Sequence, residues 1–342
     1  MRNILVTGAA GFIGANFVRM LATRQEPDVR LIAFDKLTYA GNLANVSDLL
    51  YDDRVVFVKG DICDPDVVSQ TWDEHKIGEV VNFAAESHVD RSILGSGPFV
   101  HTNVVGTQVL LDIARARKVN KFLQVSTDEV YGTLPEDKPD VKFTEETPLQ
   151  PNSPYSASKA AADCLVRSYF HTFHLPVLTT RCSNNYGPYQ FPEKLIPLFV
   201  TNLMEGKKVP LYGDGLNVRD WLYVTDHCEA LWTVLNRGQL GEVYNIGGNN
   251  ELTNRQITDT LLTEMGKSWE DSVQYVKDRP GHDRRYAIDA SKIRRDLGWA
   301  PRFKWDQAIK STVEWYRKNE PWWRAIKSGE YLKYYETQYA GR

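Results

Sequence analysis

Ile4-Leu5-Val6-Thr7-Gly8-Ala9-Ala10-Gly11-Phe12-Ile13-Gly14 reads as a strand, a glycine turn and the first turn of a helix. The spacing Gly8-x-x-Gly11-x-x-Gly14 is a variant of the dinucleotide-binding fingerprint, weak in isolation and stronger between these two elements. Gly8 and Gly11 let the backbone turn tightly and approach a pyrophosphate. Its charge would meet the free N–H groups and the dipole of the helix start. Gly14 allows the helix to pack close against the strand, and Phe12 and Ile13 complete the turn. A strand feeding such a turn opens a βαβ unit, and with it a parallel sheet covered by helices.

The neighbouring stretches agree. An apolar run at 30–34 ends at Asp35, roughly 20 residues beyond the last glycine, where a carboxylate binds the ribose hydroxyls of an adenosine. A carboxylate there repels a 2′-phosphate, which favours NAD over NADP; Lys36 and Thr38 follow in the same loop. The run at 54–58 leads to Asp61 and Ile62, placed to flank the adenine with Asp61 on its exocyclic amine. Singly, each of these residues also suits an ordinary turn; together they point to a bound dinucleotide.

Further strands at 79–84, 122–126 and 177–180 alternate with helical patterns at 65–75, 98–118 and 154–173. That alternation predicts an α/β protein with a Rossmann-type doubly wound parallel sheet. Beyond Arg181 the pattern is less regular. Gly187-Pro188 and Phe191-Pro192 punctuate a loop, 195–206 looks helical, and Gly213-Asp214-Gly215 is a turn. Strands at 221–224 and 243–246 bracket a helix at 226–237, and helices follow at 254–265, 290–297 and 305–318. We expect residues 1–182 with about 216–246 to form the NAD-binding domain. About 183–215 with 247–342 would form a smaller mixed α/β C-terminal substrate domain.

Composition excludes several classes of function. The 342 residues are 42% hydrophobic and 25% charged, ordinary for a globular chain of one to two domains. With 41 basic against 44 acidic residues the net charge is −3, which offers no pull toward nucleic acid or an anionic membrane. Cys63, Cys164, Cys182 and Cys228 are scattered without a Cys-x-x-Cys pair. This argues against a disulfide framework or a metal site and fits a cytoplasmic location. A strand beginning almost at Met1 leaves no room for a leader, and no apolar run approaches the ~20 residues of a membrane helix.

Two stretches carry candidate chemistry. In Ser153-Pro154-Tyr155-Ser156-Ala157-Ser158-Lys159, serine suits an N-cap and proline the first helical position. Tyr155 and Lys159 then stand one above the other on one helix face. A nearby ammonium would lower the phenol pKa and make a tyrosinate base feasible, and the lysine can also hold the nicotinamide ribose. The same spacing also occurs as a surface pair on ordinary helices. In Val125-Ser126-Thr127-Asp128-Glu129-Val130-Tyr131-Gly132, two carboxylates directly follow a buried strand, on the side where open α/β sheets bind ligands. By themselves they read equally as a solvated strand end. For both to face one ligand, the backbone must turn there, because successive strand residues point to opposite sides.

Gly8-x-x-Gly11-x-x-Gly14 with Tyr155-x-x-x-Lys159 resembles the extended short-chain dehydrogenases/reductases. Ala84-Ala85-Glu86-Ser87-His88-Val89-Asp90-Arg91-Ser92 and the 126–132 stretch narrow the likeness to the dTDP-glucose 4,6-dehydratases. So do Cys182-Ser183-Asn184-Asn185-Tyr186-Gly187-Pro188 and Asp278-Arg279-Pro280-Gly281-His282-Asp283-Arg284-Arg285-Tyr286. The resemblance covers essentially the whole chain. It implies a redox-neutral cycle on a tightly bound NAD in a deoxysugar pathway such as that of rhamnose. Tyr155, assisted by Lys159, would take the C4 hydroxyl proton, Glu129 would remove the C5 proton and Asp128 would protonate the departing C6 hydroxyl. Thr127 would hydrogen-bond the C4 oxygen. One carboxyl must then be neutral near pH 7 and the other charged, which repulsion and burial can arrange.

Arginines suit a nucleotide diphosphate, and Arg219 and Arg279 are the candidates that the residues themselves suggest. The resemblance adds Ser87, His88, Asn184, Lys194, Leu195, Pro210, Tyr212, Asn254, Asp278, His282 and Tyr339 on the substrate side. It adds Ala84, Ala85, Ser87, Thr102 and Asn185 around the cofactor. It also implies a homodimer through the helices near 98–118 and 154–173, whose wide apolar faces suit either the sheet or a partner. A nucleotide-sugar 4-epimerase would share the fold, NAD and the Tyr/Lys pair but needs neither Asp128 nor Glu129. A non-catalytic NAD-binding scaffold could dispense with Tyr155 and Lys159 as well. The choice between thymidine and uridine nucleotides stays open.

Overall fold

The computed structural model describes residues 1–328 except 25, 27, 279 and 280, so the expectations placed on Arg279 and Tyr339 lie outside the described residues. Among the described residues there are twelve strands: β1 Arg2–Thr7, β2 Val29–Asp35, β3 Val55–Lys59, β4 Glu79–Asn82, β5 Lys121–Thr127, β6 Val177–Cys182, β7 Asn184–Tyr186, β8 Val209–Tyr212, β9 Val218–Tyr223, β10 Val243–Ile246, β11 Glu251–Thr253 and β12 Val273–Val276. Seven of them make one sheet in the order β10-β6-β5-β4-β1-β2-β3, every pairing parallel. The order reverses between β1 and β4, the switch point at which such sheets bind dinucleotides beyond their carboxyl ends.

The period of two along β1 divides the core between the two faces of the sheet. Ile4 and Val6 pack with Phe17, Val18 and Leu21 of helix Phe12–Arg24 and with Leu231, Val234 and Leu235 of helix Val224–Arg237. Leu5 points the other way, against Val68 and Trp72 of Pro65–His75, Leu110 and Leu111 of Thr107–Ala116, and Val166 and Tyr169 of Pro154–Phe173. Each such side chain contributes ~1.5–3 kcal/mol by leaving water. Leu5, Ile32, Val80 and Phe122 anchor the strands that present the site.

A second core lies beyond β6. Strands β11-β9-β7 and β12-β8 form two small sheets. Helices Leu195–Met204, Asn254–Met265, Trp305–Lys318 and Glu320–Ile326 cover them, sharing Phe199, Leu203, Leu261, Ile309, Tyr316 and Trp323. Strand β9 serves both halves: it pairs with β7 and β11 and places Trp221 in the second core, while Leu222 packs into the first. Among the described residues no helix is long and apolar enough to cross a membrane.

Candidate active site

The glycine turn has the geometry its sequence demands. Gly8 sits at φ +66°, and a Cβ there would come within 2.8 Å of the Ala84 nitrogen. A Cβ on Gly14 would lie 2.3 Å from the Gly8 carbonyl oxygen, so only glycine lets this helix start against this strand. Buried Asp35 accepts the Ala10 N–H at 2.9 Å and the Leu37 N–H at 2.8 Å, tying the glycine turn to the end of β2. Burial raises its pKa, and the backbone N–H groups of Leu37, Ala10 and Gly11 oppose that rise. Asp61 pairs with Lys36 at 2.5 Å. Burial pushes its carboxyl up, but Lys36 and the Cys63 N–H hold it below the usual range.

All seventeen residues expected around the cofactor line one cavity: Gly8, Gly11, Phe12, Ile13, Gly14, Asp35, Lys36, Thr38, Asp61, Ile62, Ala84, Ala85, Ser87, Thr102, Tyr155, Lys159 and Asn185. Thr127, Asp128 and Glu129 line the same cavity. The required turn is present: β5 stops at Thr127, whose Oγ1 accepts the Glu129 N–H at 3.2 Å and caps a short 3-10 turn over Asp128–Tyr131. That turn brings both carboxyls to one wall. Asp128 is 1% exposed, and burial together with the charges of Glu129 and Asp220 raises its pKa well above the usual value. The raised pKa favours the protonated carboxyl, the form that a general acid requires.

The helix Pro154–Phe173 begins as its sequence predicts. Ser153 and Ser156 form a reciprocal capping box, and Pro154 occupies the first turn. Tyr155 and Lys159 are both buried against the end of β5. The expectation that Lys159 lowers the phenol pKa is not met by this packing. Its ammonium donates to the Val125 carbonyl at 2.8 Å, and burial lowers its own pKa. Burial, Glu129, Cys182 and Asp128 raise the Tyr155 phenol, opposed by a hydrogen bond with Thr127. Burial is the largest of these effects, and Glu129 adds to it.

A second cavity adjoins the first. His88, Asn184, Lys194, Leu195, Pro210, Tyr212, Arg219, Asn254 and His282 all line it, as the nucleotide side of a substrate would need. Asn184, Lys194 and Glu129 border both cavities, so a ligand can run from one into the other. Lys194 donates to the Ser87 carbonyl at 2.9 Å. Arg219 is held by the Val218 and Asp283 carbonyls, each at 2.7 Å, with its guanidinium over the Tyr286 ring. Asp278 is not among the residues lining the cavity; it contacts His282 Nδ1 at 2.6 Å.

Sequence reasoning passed over Glu193, which also borders both cavities. Burial pushes its carboxyl up to about 7, with Lys194 and Arg91 opposing, and Tyr39 donates to it at 3.2 Å. A charged residue between Pro192 and the helix starting at Leu195 was the available signal. Buried Asn103, which hydrogen-bonds Ser158 and the Glu86 backbone, and Tyr286 in the second cavity carried no such signal.

A family model described as GDP-mannose 4,6 dehydratase matches residues 5–312. A curated relative from Xanthomonas campestris, named dTDP-glucose 4,6-dehydratase, is 53% identical over 97% of this chain and 97% of its own length. The chain belongs to the dTDP-glucose 4,6-dehydratase family. Two solved dTDP-glucose 4,6-dehydratases share its fold. The Bacillus anthracis enzyme, in complex with NAD, superposes with a TM-score of 0.89 at 52% identity, covering 96% of this chain and 100% of that one. DesIV of Streptomyces venezuelae, with NAD and TYD bound, gives 0.91 at 50% identity, covering 95% and 100%. In this member of the dTDP-glucose 4,6-dehydratase family, the paired carboxyls after β5 stand on the same cavity wall as Tyr155.

Proposed function

We propose that the protein dehydrates dTDP-glucose to dTDP-4-keto-6-deoxyglucose with NAD held in the larger cavity. The observation that carries this reading is the turn Asp128–Tyr131, which puts two carboxyls beside Tyr155 on one cavity wall. The glycine turn and Asp35 fit the pyrophosphate and adenosine ribose of NAD: both line the cavity, and a Cβ at Gly8 or Gly14 would collide with the backbone that shapes the turn. NAD, when bound, supplies the hydride acceptor for C4, the hydride donor for C6 and a positive charge that favours the tyrosinate.

The chain's own residues supply the proton transfers. Tyr155 takes the C4 hydroxyl proton, with Thr127 on the same oxygen. The resulting 4-ketone acidifies C5, from which Glu129 removes a proton, and a proton exchanged with solvent returns to C5 when C6 is reduced. Asp128, whose burial favours the protonated form, donates to the departing C6 hydroxyl. The second cavity, with Arg219, Asn254 and His282, takes the nucleotide. This assigns residues 1–182 with about 216–246 to the cofactor and the remainder to the nucleotide-sugar. The product suits deoxysugar synthesis such as that of rhamnose. We further place the protein in the cytoplasm, in keeping with its four free cysteines, and read it as a homodimer.

The test is incubation with dTDP-glucose in deuterated water without added NAD. The expected product is the 4-keto-6-deoxy sugar carrying deuterium at C5. A C4 epimer, or no turnover by cofactor-loaded protein, overturns the assignment.

A further inference from the structure

Behind the catalytic wall, one buried chain of side chains joins the two halves of the catalytic set. Arg181 on β6 donates from Nε to Asp163 Oδ2 at 2.9 Å and from Nη1 to the Tyr131 hydroxyl at 3.0 Å. That hydroxyl donates onward to Asn245 Oδ1 at 2.7 Å. All four residues are buried, and none of them lines either cavity. Tyr131 closes the turn that carries Asp128 and Glu129. Asp163 lies one helical turn beyond Lys159 on helix Pro154–Phe173, and its charge favours the Lys159 ammonium against burial.

A guanidinium is a rigid planar fork, so the directions of its two partners are fixed relative to each other. Its charge is tolerated in the interior only while those partners stay in place. A shift of the turn against the helix therefore takes one of its two side-chain partners from a buried guanidinium. Within the dehydration proposed above, we propose that Tyr131–Arg181–Asp163 is a positioning relay. It registers the elimination turn (Asp128, Glu129) against the oxidation helix (Tyr155, Lys159), so that both act on one bound sugar. Tyr155 and Lys159 keep their own supports, the capping box and the Val125 carbonyl, without the relay. The turn meets the relay directly, through the Tyr131 hydroxyl.

Tyr131→Phe removes the hydroxyl and leaves the ring stacked on Phe143, with centroids 5.0 Å apart. Arg181→Lys keeps a cation for Asp163 and loses the fork. Each NAD-loaded variant is mixed with dTDP-glucose in a single turnover in deuterated water. Absorbance of the reduced nicotinamide reports C4 oxidation, and deuterium at C5 together with the deoxy product reports elimination. Native protein run in parallel must first yield the 4-keto-6-deoxy product; its failure overturns the functional reading itself. With that control met, we expect oxidation at the native rate and elimination slower by on the order of 10- to 100-fold, so that reduced cofactor accumulates. Oxidation and elimination falling together, or neither changing, overturns the relay.

Discussion

Asp128, the general acid of the proposed reaction, is a carboxyl whose burial works against the stability of the fold. Its native pKa is raised, with burial first and the neighbouring charges of Glu129 and Asp220 next. The sign of the linkage follows directly. Below the ordinary aspartate pKa of 3.8 both folded and unfolded chains hold the proton, and nothing is lost. Above it the unfolded chain releases the proton while the native one retains it, so stability falls as pH rises toward the native pKa. Asp128→Asn abolishes that loss. We expect the variant to melt at a higher temperature than the native protein at pH 7, with the gap closing toward pH 4. Product formation should fall ~10²–10⁴-fold, the usual worth of a general acid, while C4 oxidation persists. Unfolding scans across that pH range check the first part, and a variant that melts lower at pH 7 rejects it.

At the scale of elements, the strand–turn–helix at the start of the chain controls the cofactor. Gly14→Ala places a methyl group where the Gly8 carbonyl oxygen stands, 2.3 Å away. Backbone cannot yield there as a flexible side chain would, so the expected result is overpacking of about 1–3 kcal/mol and purified protein that carries little NAD. The nucleotide released on denaturation measures this, and a full complement of NAD in the variant would contradict it. This element was legible because its residues answer to local rules, as were Pro65–His75, with proline at its start, and Pro154–Phe173, with its capping box. The strands of the seven-stranded sheet were legible as apolar runs. By contrast β7 and β11, three residues each, and β8 and β12, four each, are too short for a period to show, and they exist through pairing with distant segments. The helix across 97–116 widens into π-type turns over Val100–Gly106, which a 3.6-residue period cannot register. In the site, residues within motifs were readable. Glu193, Asn103 and the Arg181 network were not, because their roles come from tertiary contact.

For the whole molecule, the proposed function sets a dinucleotide and a nucleotide-sugar end to end in two cavities that meet at Glu129, Asn184, Glu193 and Lys194. The other feature at this scale is what the fold leaves uncovered. Large apolar side chains are exposed along one stretch: Ile93 at 42%, Leu94 at 71%, Val100 at 51% and Val105 at 38%. They stand on the segment beside helix Pro154–Phe173, from which Phe173 is also exposed. A row of this kind is costly on a monomer and suits an isologous contact, in which each residue is used twice about a two-fold axis. Burying a side chain of this size contributes ~1.5–3 kcal/mol, and symmetry doubles the count. We therefore expect light scattering to report about twice the 39.0 kDa chain mass, with a melting temperature that rises with protein concentration. The double variant Leu94→Asp with Val100→Asp puts four charges into such a contact. It should scatter as a monomer and melt at a temperature independent of concentration. A native protein that is monomeric at micromolar concentration, or a double variant of unchanged mass, would show that this row faces something other than a second copy of the chain.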